Sequence, residues 1–290
     1  MNIRLGVFVA TLFLLPLLAS ILTGANWGES LIVTALSAQA LLLTALLLAG
    51  YTWLLNRLTV LRRGANLLGV PGRYQAYVVG SSAMLGWLAL SFAHYTDNDF
   101  ALLLDAATIT ATTLLFAGLI PAALVTRAWL ATFPSLLRLL ARYSPALPAL
   151  KAEPAALWML TLALVGLMGG VARPQLLAVL LWSSPLFLLL ALQMLWHEDT
   201  LFSGLPQGDW QRPVLAAISG LVVGGLVLAC YVSSGGTITQ IAPLAWAGFA
   251  LFGLIAAQLN ELIASGWRGK SRGEIFKRKA FPIPVVVKKD

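Results

Sequence analysis

Apolar runs of roughly 20 residues recur along the whole chain, and that length is what an α-helix needs to cross about 30 Å of hydrocarbon. Only 10% of the 290 residues are charged and 59% are hydrophobic, whereas a soluble domain carries roughly 25% charged residues. The mean hydropathy of +0.86 points the same way. The ten-residue alternation of an outer-membrane barrel is absent. The expected fold is all-α, a polytopic transmembrane helical bundle of about eight spans, at 5–23, 31–55, 76–95, 100–126, 155–172, 175–196, 213–233 and 241–265. Residues 1–266 then form one transmembrane helical domain, and 267–290 a basic tail. The first run is a poor signal peptide. Only Arg4 precedes it, Pro16 interrupts it, and no small-residue cleavage site closes it, so it is expected to stay as the first helix.

The loops between these runs sort by charge. Of the 19 basic residues, all but Arg173 fall on one side, and eight of them lie in the tail. The positive-inside rule therefore predicts both termini in the cytoplasm of a bacterial-type inner membrane. The formal charge of +8 is explained by that orientation and by contact with anionic headgroups, and nucleic-acid binding is not expected. The opposite-side loops are short: "GANWGES", "TDND", "ARP" and "SSGGTITQ". On the basic side, residues 127–154 contain a short amphipathic helix, started by Pro134 and ended by Pro145 and Pro148. Its Leu136, Leu137 and Leu140 can face away from Arg138 and Arg142. Helices 3–4 and 7–8 carry similar stretches, "LALSFAHYT" with "LVLACYVSS" and "FAGLIPAA" with "LFGLIAA", which allows two four-helix halves.

Chemistry-bearing residues are few. The stretch "FALLLDAATITATT" puts Asp105 inside the fourth expected span, about 9 Å along the axis from Asp99. Asp105, Thr108 and Thr112 follow helical spacing and share a face, and a charge facing lipid is costly. That face is therefore expected to point inward as a polar seam or ligand contact. His94, Arg173 and Cys230 all fall at outer ends of spans, and His94 and Arg173 join the seam as candidate ligand contacts. Gln258, Asn260 and Glu261 form a second polar group, with Glu261 marking where the last helix leaves the membrane. The acidic loop residues Glu198 and Asp199 and the tail cations Lys277, Arg278 and Lys279 are candidate partner contacts. Gly166 with Gly170 and Gly220 with Gly224 form GxxxG faces for close helix packing. Pro121 and Pro185 are expected kinks whose freed carbonyls need new partners. One cysteine excludes an intrachain disulfide, and no metal site is predicted.

In residue types alone, His94, Arg173 and Cys230 resemble the catalytic trio of the exosortase-type membrane transpeptidases. The chain order differs and "LACYVSS" departs from the family's cysteine motif. The size and helix count are similar to the anchor subunits of some respiratory molybdoenzymes, an analogy without a shared motif. No HExxH, GxSxG, Walker A, paired DxxD or CxxCH is present. The leading expectation is a non-catalytic inner-membrane subunit of a larger complex, anchoring or scaffolding and holding a lipid or quinone between helices. No cofactor is otherwise predicted. The expected partners are other membrane-complex subunits and the anionic headgroups of the cytoplasmic leaflet. The alternatives are a small secondary transporter or permease using the Asp105 face, and an intramembrane enzyme acting on a lipid-linked substrate at the outer face.

Overall fold

The computed structural model describes residues 31–33, 37–64, 66–69, 72–96, 105–142, 152–236, 238–241 and 243–267. In chain order these form β1 (Leu31–Val33), α1 (Ala38–Arg63), α2 (Gly72–Thr96), α3 (Ala106–Leu130), α4 (Pro134–Arg142), α5 (Ala152–Ala172) and α6 (Pro174–Leu195). A 3-10 turn (Leu205–Gln207), α7 (Gln211–Ser233), β2 (Ile238–Ile241) and α8 (Pro243–Trp267) complete them. Seven helices, α1–α3 and α5–α8, are long and apolar enough to cross a membrane, as in a multi-pass membrane protein. The first expected span, 5–23, and the basic tail from residue 268 lie outside the described residues.

Two expected starts move later along the chain, and the span expected to end at residue 55 runs on to Arg63. The span predicted to begin at residue 31 begins at 38, because Leu31–Val33 is a strand, antiparallel to Ile238–Ile241. Ser37 starts the helix, its hydroxyl accepting the Ala40 N–H (3.3 Å). The span predicted from residue 100 begins at Ala106, because Asp105 is an N-cap and not a residue of the helix. In both cases an apolar run continued past the point where the backbone needed a side-chain cap. The short helix expected after Pro134 is present as α4.

Helix α3 is the hub, packed against α1, α2, α7 and α8, while α5 packs chiefly on α6 and α7 on α8. Glycine permits the two tightest seams. A Cβ on Gly166 would strike the Ser184 hydroxyl and Leu180 carbonyl, and one on Gly170 would strike Leu181. A Cβ on Gly220 would meet the Phe249 carbonyl and Gly253 backbone, and Gly224 lies against the Phe249 ring. Both GxxxG faces are therefore used within the chain.

Several polar groups inside the bundle are paired within it, while Thr112 Oγ1, Trp129 Nε1, Trp182 Nε1 and Gln193 Nε2 are buried without a hydrogen-bond partner among the described residues. On α1 the hydroxyls of Thr44, Thr52 and Thr59 each donate to the carbonyl four residues back. In α3 the Ser82 hydroxyl of α2 enters the helical ladder just before Pro121. It accepts the Ile120 N–H (2.9 Å) and donates to the Phe116 carbonyl, two groups that would otherwise bond each other. Pro121 removes the next donor in the ladder, so the inserted hydroxyl and the proline interrupt the α3 ladder at neighbouring positions. Near Pro185 the Ser183 hydroxyl donates to the Val179 carbonyl (2.7 Å), and Ser184 donates to that of Leu180.

The α7–α8 seam gives a direct prediction. Gly220→Ala should lower stability by about 1–3 kcal/mol through overpacking, because its Cβ meets backbone that cannot rotate away. Gly80→Ala, where nothing lies within 4 Å, should be tolerated. Thermal unfolding of the purified protein in detergent measures both.

Candidate functional site

Polar side chains gather where the C-terminal ends of α1, α3, α6 and α8 meet the N-terminal ends of α2 and α7. This is the arginine-bearing end of the bundle. One part is structural. Helix α6 ends with His197 in the left-handed region (φ 54°), the His197 N–H bonding Met194 and the Glu198 N–H bonding the Gln193 carbonyl. The acidic loop then folds inward, so that Leu201 is fully buried with Ala216 and Ala257. Gln258 holds it there. Its Oε1 accepts the Leu201 N–H (2.9 Å), while its Nε2 donates to Gln193. Both glutamines are fully buried, and Gln193 Nε2 has no partner.

The other part is charged. One oxygen of Glu261 lies 3.0 Å from Arg212 Nη2 and 3.9 Å from Arg127 Nη2. The side chain of Arg127 is the more buried of the two, 18% exposed against 32%. At the preceding residue of α8, Tyr74 of α2 donates its hydroxyl to Asn260 Oδ1 (2.6 Å). Arg127, Tyr74 and Asn260 border a cleft of about 540 Å³ between α2, α3 and α8, within the size range of small-molecule sites. Its remaining walls are mostly apolar and include Leu124, Val78 and Pro121.

A built loop forms the edge of this cleft. Asn56, almost fully buried on α1, accepts the Leu67 N–H (3.1 Å) and donates to Asn66 Oδ1 (2.9 Å). Asn66 Oδ1 also accepts the Gly69 N–H (3.0 Å). Gln75 donates to the Leu68 carbonyl. These bonds fix Leu67 and Leu68 as cleft walls with their outer sides exposed. A second, almost wholly apolar cavity of about 290 Å³ lies between α2, α6, α7 and α8, beside Phe92, Trp182 and Phe249.

The residues singled out in the sequence are scattered. Asp105 is exposed and outside the helix, accepting the Thr108 N–H (3.0 Å). The Thr108 hydroxyl, and then its backbone N–H, hold the Asp105 carboxyl below its ordinary value. Thr108 and Thr112 are buried, so the three residues do not form one inward seam containing a carboxylate. Arg173 is an exposed N-cap without a side-chain cap bond. Cys230 is half-buried on α7. His94 belongs to α2, but its side chain lies outside the described residues. Glu198 accepts a hydrogen bond from Ser265 of α8 (2.7 Å), and Asp199 is exposed. Lys277, Arg278 and Lys279 lie outside the described residues.

Glu261 was expected to mark a helix end, and the structure adds its two arginine partners. Gln193, Asn56, Tyr74 and Arg127 were missed as site residues. Their one common signal is a polar side chain within or beside an apolar run at the basic end. Among the described residues no three His, Cys, Asp or Glu side chains come together as metal ligands. Comparison with family models, curated proteins and solved structures finds no match.

Two predictions follow from these geometries. Gln258→Leu leaves the Leu201 N–H and both Gln193 amide groups without partners, so it should loosen the 197–210 loop and speed its proteolysis. Asp105→Ala should lower the thermal midpoint at neutral pH by removing the α3 cap. Because the carboxyl is lowered in the folded state, its charge-dependent contribution is full above about pH 4. That contribution is lost as the pH falls through the lowered value. Asp105→Asn should keep most of the cap and lose this pH dependence, which unfolding curves across pH would measure.

Proposed function

We propose that the chain is a non-catalytic, multi-pass subunit of a bacterial-type inner membrane complex that holds an amphiphile, a lipid or a quinone, between its helices. The observation that carries this reading is the cleft between α2, α3 and α8, whose apolar walls end in the polar side chains of Arg127, Tyr74 and Asn260. An amphiphile has the same division, an apolar body and a polar end, and sites between helices of a bundle commonly take such ligands. The absence of reaction motifs in the sequence favours holding over turnover. The distribution of arginine and lysine supports cytoplasmic termini, which puts the polar end of the cleft at the cytoplasmic headgroups.

The permease alternative depended on a carboxylate inside a helix. Asp105, exposed at the start of α3, does not supply one. The enzyme alternative depended on His94 and Arg173 converging with Asp105, and no observation favours it.

Purification in native lipid discs tests the reading. The expected result is a retained amphiphile in near-stoichiometric amount together with a stoichiometric partner chain. A monomer or small homo-oligomer without a partner overturns the subunit part, and an empty cleft overturns the amphiphile part. A fluorescent protein fused after Asp290 should be bright and an alkaline phosphatase fused there inactive. The reverse pattern overturns the orientation.

A further inference from the structure

The charges around the cleft do not balance, and the imbalance specifies the ligand. Arg212 and Arg127 share one carboxylate, Glu261, through the same oxygen. Arg212 reaches that oxygen at 3.0 Å, while Arg127 stands at 3.9 Å, beyond hydrogen-bond distance. The three side chains carry a net charge of about +1. Among the described residues the Arg127 guanidinium makes no hydrogen bond, although its side chain is only 18% exposed. Asn260 accepts from Tyr74 through Oδ1, and its amide N–H groups have no protein acceptor among the described residues. Arg127 and Asn260 therefore bring an under-neutralised cation and a free amide donor to the border of one cleft. A partly buried cation short of its counter-charge is costly and is relieved by an anion.

We propose that the cleft binds an anionic phospholipid, its phosphate on Arg127 and Asn260 and the start of an acyl chain against Val78, Leu124 and Leu68. This deepens the reading of the cleft as an amphiphile site and rests on it. Arg127 lies three residues before the end of α3, about 5 Å along the axis at 1.5 Å per residue. That depth suits a phosphate with its chain running further into the bundle. Leu67, Leu68 and Val79 are partly exposed and border the cleft, so a chain can enter sideways from the bilayer. Guanidinium forms paired hydrogen bonds with phosphate. A soluble anion would use only this polar end and leave the apolar walls uncovered. A quinone would gain little from a full positive charge.

The test is lipid binding by the full chain in detergent. Native mass spectrometry and thermal stabilisation are read during titration with phosphatidylglycerol or phosphatidylcholine, with inorganic phosphate alone as a third arm. Phosphatidylglycerol should bind about tenfold more tightly than phosphatidylcholine, the factor expected of one charge-assisted contact. Arg127→Gln should remove this preference. Arg57→Gln, which loses the same charge from a side chain stacked on Trp53 outside the cleft, should keep it. Glu261→Gln should strengthen phosphatidylglycerol binding by removing the competing carboxylate. It decides the matter should Arg127→Gln fail to fold, since a merely structural ion pair predicts weaker binding. Equal binding of the two lipids, equal loss in Arg57→Gln, or equal stabilisation by inorganic phosphate overturns the proposal and leaves the amphiphile reading standing. Retention of no amphiphile at all, in this titration and in native lipid discs, overturns both.

Discussion

Hydrocarbon offers no hydrogen bonds, so each polar group inside the bundle must find its partner within the protein. That constraint explains more of this structure than any single apolar contact. It turns the threonines of α1 back onto their own helix. It also draws the Ser82 hydroxyl into the opened ladder of α3, where it serves a donor and an acceptor together. The buried Gln193–Gln258 pair obeys the same demand, with one amide group left over. A bundle satisfied in this way can be held by close van der Waals packing, and the Gly166, Gly170, Gly220 and Gly253 seams supply it.

The same constraint distinguishes the two cavities. The one beside Trp182 and Phe249 is almost wholly apolar, so an acyl chain or tight side-chain packing satisfies it equally. The cleft beside Arg127 brings a guanidinium and an amide to an apolar space, and those groups are selective about what occupies it. An anion is worth more there than in water, because the surrounding helices exclude solvent screening.

Spans were legible because a 20-residue apolar run has few other uses, and the six runs from 76–95 onward each correspond to a helix in the structure. Their starts were less legible. An apolar run such as Leu31–Val33 reads alike as helix or strand until its partner, Ile238–Ile241, is known. Asp105 was misplaced for a related reason. Its helical spacing to Thr108 and Thr112 is compatible with a shared helix face, but it is also the spacing of an N-cap that accepts the Thr108 N–H. The cleft was the least legible part. Tyr74 and Asn260 are 186 positions apart, and no local pattern joins them. Arg127 read as one more topogenic cation, indistinguishable in sequence from Arg138 or Arg142. The hint lay in type and place, for Asn56, Gln193, Gln258 and Asn260 are uncharged amides near the basic ends of their helices. Such residues do nothing for orientation, so their presence there called for a structural use.

Helix α3 ties the scaffold to the site. It touches α1, α2, α7 and α8, and Pro121 falls between the packed middle of the bundle and Arg127. Pro121 itself lines the cleft, and two residues before it Leu119 lines the apolar cavity. One helix thus lines two spaces, with Leu119 and Pro121 on either side of the change. An uninterrupted α3 ladder would pair Phe116 with Ile120 and release the Ser82 hydroxyl, but that hydroxyl would then be buried without a partner. The interrupted ladder therefore costs little once α2 is in place, and α2 is the helix that supplies Tyr74, Val78 and Val79 to the same cleft. Formation of the site and satisfaction of the α3 ladder thus depend on one helix-to-helix contact. A change that frees Ser82 should disturb the cleft from a distance.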